Sequence, residues 1–206
     1  MRASRYGGIL CLYEFKRVAE IGEAVCRFLI SKEKNMTAVR NLPCELEAVF
    51  REFRTCEMTT LSKDGTPITW PVEPYYQPDK GQFFVATSIG LAQKWHNVRR
   101  NSNMSLLYSN PISSGLADPP AVLVQGNAHA SDEIFTSFTG DLEELGRQVA
   151  SRQPAAELYS NSPLMRYLFD WYYMRLVIYF TPHRILWWDH SDFNLKPHEM
   201  EVCHVD

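Results

Sequence analysis

Beginning at Cys56, short runs rich in β-branched and aromatic residues alternate with turn clusters, and this punctuation restricts the chain to a mainly β, antiparallel architecture. Residues 56–62 read as a strand, Lys63-Asp64-Gly65-Thr66 as a hairpin turn whose glycine supplies a positive φ, and residues 68–76 as the returning strand. Pro71 and Pro74 each remove a ladder donor. That second strand must therefore be bulged or lie at an edge, with backbone groups left over for a ligand. The turn Gln77-Pro78-Asp79-Lys80-Gly81 leads into a third strand at 82–87, and further strands fall at 104–108 and 121–130. Gly126, inside the last of these, marks a bulge or a close backbone approach. Two final strands, 175–180 and 184–189, are joined by Thr181-Pro182-His183. Repeated hairpins with few helices exclude a doubly wound parallel sheet and indicate an antiparallel barrel with added helices.

Helical periodicity is confined to the insertions between these strands and to the N-terminal region. Phe15, Val18, Ile21, Val25, Phe28 and Leu29 recur at three- and four-residue steps, which makes residues 15–29 an amphipathic helix suited to packing, dimerisation or a membrane surface. A polar break precedes Met36, so residues 1–42 are read as a helical extension and Met36 as a candidate native start. Pro43 opens a short helix over 43–53 with Leu46, Val49, Phe50 and Phe53 on its apolar face. After Gly90 a helix through Asn101 places Leu91, Trp95 and Val98 together. Ser131, followed by Asp132 and Glu133, has the chemistry of an N-cap for a helix toward Val149, with a second helix at 155–170. The domain therefore spans 43–190 with a helical insertion at 131–170, and the polar tail 191–206 is expected to be loose.

Composition excludes several functions. A formal net charge of −3, with Lys94, Arg99 and Arg100 as the largest local basic group, leaves no surface suited to nucleic acid or an anionic membrane. The five cysteines include no C-x-x-C pair and are read as reduced thiols of a cytoplasmic protein, and the six histidines show no paired metal-ligand spacing. His190-Ser191-Asp192 contains the residue types of a hydrolase triad, but adjacency in sequence is not the geometry of one.

The segment 81–110 carries the most chemistry. Its strand ends in Thr87 and Ser88, Gly90 turns the chain, and a helix begins that carries Lys94. Hydroxyls, helix N-terminal amides and a lysine together suit a phosphate group. The same hydroxyls would equally serve as helix caps, with Lys94 in solvent, and the residues by themselves leave the two readings level.

From Lys63-Asp64-Gly65 through Thr87-Ser88, Lys94, Arg99-Arg100-Asn101 and Ser105-Leu106-Leu107, the chain resembles the pyridoxamine 5′-phosphate oxidase-like family of flavin-binding split β-barrels. The resemblance covers roughly residues 50–130 and extends more weakly to Arg184-Ile185-Leu186-Trp187-Trp188. It implies an FMN at a homodimer interface, with Thr87, Ser88 and Lys94 on the phosphate and Pro71, Val72 and Glu73 along the ring. Trp187 or Trp188 would approach the flavin from the partner subunit. Better-known oxidases of the family carry further basic residues where this chain has Thr69 and Gln93, and their C-terminal vitamin-binding pattern is not evident at Asp189-His190-Ser191-Asp192. The resemblance thus implies an FMN-dependent oxidoreductase acting on an unidentified small molecule, with Thr69 also at the cofactor site, no metal and no assigned catalytic residue. Relatives that bind a deazaflavin coenzyme or haem leave those cofactors as alternatives, as they do a non-catalytic binding module.

Overall fold

The computed structural model describes residues 42–112, 114–136, 142–143, 146–147, 164 and 174–202. The readings at 15–29, Met36 and 155–170 lie outside the described residues. Helix α1 (Cys44–Glu52) follows Pro43, carries Glu45 and Glu47 in its first turn and Arg51 in its last, and buries Leu46, Val49 and Phe50. Acidic and basic residues at those ends complement the helix dipole.

Eight strands among the described residues form one sheet: β1 (Cys56–Leu61), β2 (Pro67–Val72), β3 (Pro74–Gln77), β4 (Gln82–Ser88), β5 (Asn103–Tyr108), β6 (Ala121–Phe135), β7 (Arg175–Trp188) and β8 (His198–Glu201). Their order is β2-β1-β5-β6-β7-β4-β3, with β8 beside β7, and all these pairings are antiparallel. The two end strands of that path, β2 and β3, are consecutive in the chain and separated only by Glu73. The sheet therefore curls until its ends lie one residue apart along the chain without pairing: a split barrel of the expected mainly β class. The second strand is thus divided at Glu73, and each half lies at an end of the sheet's path, the edge position its prolines predict, β2 pairing with β1 and β3 with β4.

The core lies inside the curl and is closed by α1. Phe50 packs against Tyr76, Phe83 and Tyr108 at ring-centroid distances of 5.3, 4.9 and 5.3 Å. Met58, Leu106, Val124 and Ile178 are fully buried around them. Alternation on β1 turns Cys56, Met58 and Thr60 inward, as a half-buried strand requires. Strand β4 is covered on both faces: Phe83 and Val85 join the main core, and Phe84 packs with Val177 and Leu142 in a second cluster.

Four expectations need correction. Ser131, Asp132 and Glu133 continue β6 instead of capping a helix. Ser131 Oγ donates to the Glu133 carbonyl and accepts from Val177 N–H, where the β6–β7 register shifts between Ala130 and Ile134. A hydroxyl that would cap a helix here serves a strand irregularity, because β7 supplies the partner. The two last strands are one, since Thr181-Pro182-His183 lies within β7. Proline is tolerated there because the register shifts opposite it at Gly126. A Cβ at Gly126 would sit 2.1 Å from the Thr181 carbonyl oxygen, so the close backbone approach expected at this glycine is present. The third correction concerns the tail: β8 pairs with β7, and Arg184 clamps it through Glu199 at 2.6 Å. Lastly, the helix after Gly90 is two pieces, a 3₁₀ turn (Ile89–Leu91) followed by α2 (Gln93–Arg100).

Cys44 and Cys56 are free thiols, and burial first, then the neighbouring Glu57 charge, pushes the Cys56 thiol well above its usual range. A thiol held neutral in this way is unreactive.

Candidate functional site

The end of β4 and the start of α2 carry three polar residues that the fold buries: Thr87, Lys94 and Asn97. Their spacing explains why. Residues 94, 97 and 98 share one helical face, which α2 lays against the sheet. Leu91, expected on that face, is instead 68% exposed, because the 3₁₀ turn sets α2 in a different phase. Each polar side chain on the buried face meets a partner on the sheet or in the preceding turn. Asn97 Nδ2 donates to Thr60 Oγ1 at 3.0 Å, while Asn97 Oδ1 accepts from Gln93 and from Arg100. Lys94 Nζ donates to Thr87 Oγ1 at 2.9 Å and to the Leu91 carbonyl at 3.4 Å. Thr87 in turn donates to the Leu91 carbonyl at 3.1 Å.

Lys94 has only 9% of its surface exposed. Desolvation lowers its pKa from the ordinary lysine value, and the Trp70 ring lies 5.6 Å from Nζ. Among the described residues no carboxylate pairs with this ammonium. A buried cation without a counter-ion is costly unless a ligand supplies the missing charge. Trp70 Nε1 is a buried donor with no hydrogen-bond partner among the described residues.

Beside Lys94 opens a cavity of about 480 Å³ lined by Pro71, Val72, Glu73, Ala86, Thr87, Ser88, Gly90, Leu91, Lys94 and Arg175. Its size falls within the range of about 300–1,000 Å³ typical of small-molecule sites. Its position follows from the topology, since it lies where the divided strand β2/β3 passes the end of β4. Ser88 Oγ accepts from Gly90 N–H at 3.4 Å and caps the 3₁₀ turn. Its own proton remains a donor. The capping and ligand readings of this serine are thus compatible, whereas a solvated Lys94 is excluded by its burial.

The structure brings Pro71, Val72, Glu73, Thr87, Ser88 and Lys94 to one cavity. Thr69 lies outside its lining, exposed, with Oγ1 2.9 Å from Thr59 Oγ1. Trp187 and Trp188 stand at the opposite end of β7 from Arg175, Trp187 stacked on His198 and Trp188 tilted against Phe193. One chain alone does not carry them to the cavity. Arg99 pairs with Asp132 at 3.0 Å, and neither it nor Arg100, His96 or His129 lines the site. His190 pairs with Asp118, and Ser191 donates to the Pro119 carbonyl, so the His190-Ser191-Asp192 string forms no triad. Arg175 is the charged lining residue that sequence reasoning missed; a basic residue opening a strand far along the chain carries no local signal, and only the β4–β7 pairing places it opposite Ser88. Among the described residues no cluster of His, Cys, Asp and Glu could hold a metal, and no helix is long and apolar enough to cross a membrane.

Residues 42–178 match the family model described as Pyridoxamine 5′-phosphate oxidase. No curated protein matches the chain. One solved structure aligns with a TM-score of 0.51 at 16% identity over 77% of this chain and 92% of its own. General Stress Protein 26 from Bacillus anthracis aligns at 14% identity over 76% of this chain and 95% of its own, with a TM-score of 0.47. A heme binding protein from Mycobacterium smegmatis aligns at 16% identity over 79% of this chain and 60% of its own, with a TM-score of 0.48.

Proposed function

Because the chain belongs to the pyridoxamine 5′-phosphate oxidase family, we propose that its cavity holds FMN at a homodimer interface and that the protein is an oxidoreductase acting on a small molecule. The observation that carries this reading is the buried Lys94 ammonium, without a counter-ion among the described residues, beside two hydroxyl side chains in a cavity of ligand size. The donor set fits the group. Two hydroxyls and two basic side chains suit the oxygens of a phosphate monoester rather than a porphyrin iron.

Thr87, Ser88 and Lys94 would hold the phosphate, and Pro71, Val72 and Glu73 would line the ring. When bound, the flavin supplies the capacity to accept or donate a hydride. The protein's part is to position the ring and shield it. Pro71 and Val72 present apolar surface and Glu73 a hydrogen-bond acceptor, while Lys94 and Ser88 supply donors to the phosphate. Trp187 and Trp188, remote from the cavity of their own chain, would reach it from a second copy. A cytoplasmic setting belongs to this reading and is checked by cell fractionation.

Titration of the purified protein with FMN tests the proposal directly, with a deazaflavin coenzyme and haem as competing ligands. We expect saturable FMN binding to a dimer, weakened in Lys94→Ala by about 1.5–3 kcal/mol through loss of a charge-assisted contact. Absence of bound flavin under every reconstitution condition, or preferential capture of haem, sinks the reading.

A further inference from the structure

We propose that Lys94 is a site of covalent modification: when the cavity holds no anion, its amine condenses with a small aldehyde to form an imine. The proposal concerns the chain's own nucleophile and stands apart from the flavin reading. Burial acts with opposite sign on Cys56 and Lys94, because desolvation disfavours the charged form of either group. The reactive form of a thiol is charged, so burial disarms Cys56. The reactive form of an amine is neutral, so burial, which lowers the pKa of Lys94, arms it. The Trp70 ring, 5.6 Å from Nζ, favours the cation, but no carboxylate among the described residues does so by pairing with it.

The hydrogen bonds of Nζ leave one direction open for a reactant. Besides its bond to carbon, the nitrogen has three positions for protons or a lone pair. Thr87 Oγ1 at 2.9 Å and the Leu91 carbonyl at 3.4 Å engage two of them. In the neutral amine the lone pair takes the third. Lys94 lines the cavity of about 480 Å³, in which Pro71, Val72, Ala86 and Leu91 supply apolar surface suited to a small apolar aldehyde, and Glu73 and Arg175 are the other charged residues of the lining. The ammonium first gives one proton to water. The lone pair then attacks the carbonyl carbon, one N–H proton passes to the oxygen to give a carbinolamine, and the second leaves with the hydroxyl as water when the C=N bond forms. Nothing is oxidised or reduced. The adduct removes the cation and fills the space beside it, so an aldehyde and an anion exclude one another.

The test treats the full-length chain, dialysed into buffer free of flavin and phosphate, with benzaldehyde and sodium cyanoborohydride, whose hydride traps the imine as a secondary amine. Peptide mass spectrometry then maps the labelled lysines, with the exposed Lys63 and Lys196 as internal references. Near pH 7 Lys94 should be labelled about tenfold or more faster than either, the ratio that one unit of pKa produces. The selectivity should vanish in urea, and Lys94→Arg should remove the fast site while leaving the reference labelling in place. Labelling of Lys94 no faster than the references in the folded protein overturns the proposal. So does a preference that persists unchanged in urea, since the fold would then not be its cause. Added FMN should protect Lys94; fast labelling that FMN leaves unchanged upholds the reactive lysine and overturns the flavin placement instead.

Discussion

Strand β4 supplies both a packed core and a polar cavity, and the two regions solve the burial of polar atoms in opposite ways. At its start, Phe83 packs among Phe50, Tyr76 and Tyr108, and the hydroxyls of Tyr76 and Tyr108 are buried without hydrogen-bond partners among the described residues. At its end, Thr87 stands with Lys94, and Asn97 lies nearby on α2, each bonded to named partners. The aromatic region gains enough from ring packing to tolerate two orphan hydroxyls. The cavity region arranges its polar atoms around a charge that no carboxylate of the described residues matches. Aromatic packing is concentrated at one end of the strand and buried polar contacts at the other.

The most damaging test strikes the sheet that carries both. Gly126→Val places a side chain against the Thr181 backbone in the β6–β7 ladder, and with only backbone to yield, the loss should exceed about 4 kcal/mol or abolish folding. Urea denaturation or soluble yield reads it. Phe50→Ala strikes the aromatic region alone. It should cost about 3–5 kcal/mol in denaturation while the folded fraction keeps its FMN affinity. A parallel loss of affinity would show that the two regions are not separable.

Alkali should affect the two regions with opposite sign. Burial lowers the Lys94 pKa below the ordinary lysine value of 10.5, so between the two values the unfolded chain binds more protons and stability rises with pH. Burial raises Tyr76 and Tyr108 above 10.0, so above that value the native state retains protons that the unfolded chain loses, and stability falls. Urea midpoints between roughly pH 8 and 11 should lose their rising component in Lys94→Met and part of their fall in Tyr76→Phe. Smallest of all, Tyr108→Phe at neutral pH should change stability by less than about 1 kcal/mol, with neutral or stabilising sign, because its hydroxyl has no partner to lose. A clear destabilisation would reveal a buried water on that oxygen.

The fold was legible wherever hydrophobic period and turn chemistry agreed. The Lys63–Thr66 turn, with Gly65 at φ 85°, and the backbone approach at Gly126 follow from local rules alone. Ser131 was misread because its cap chemistry is local, whereas the partner that holds it in a strand, Val177, is 46 residues away. The α2 face was misread for a related reason. An apolar pattern selects Leu91, Trp95 and Val98, but Lys94 and Asn97 are buried because Thr87 and Thr60 satisfy them. At the site, Thr87, Ser88 and Lys94 form a contiguous segment that can be read directly. Arg175 joins them only through strand pairing, which no short window of sequence contains.

The single-residue link at Glu73 has one further consequence, for how the molecule avoids its own kind. Both end strands of the sheet's main path flank this link, and an unprotected edge is a template on which another molecule's strand adds and fibres grow. Here Pro67 and Pro71 on β2 and Pro74 on β3 place residues without amide donors in both end strands, which makes them poorer templates. Pro71, which also forms part of the cavity wall, thereby serves on both counts. A chain that closed its barrel completely would need no such guard.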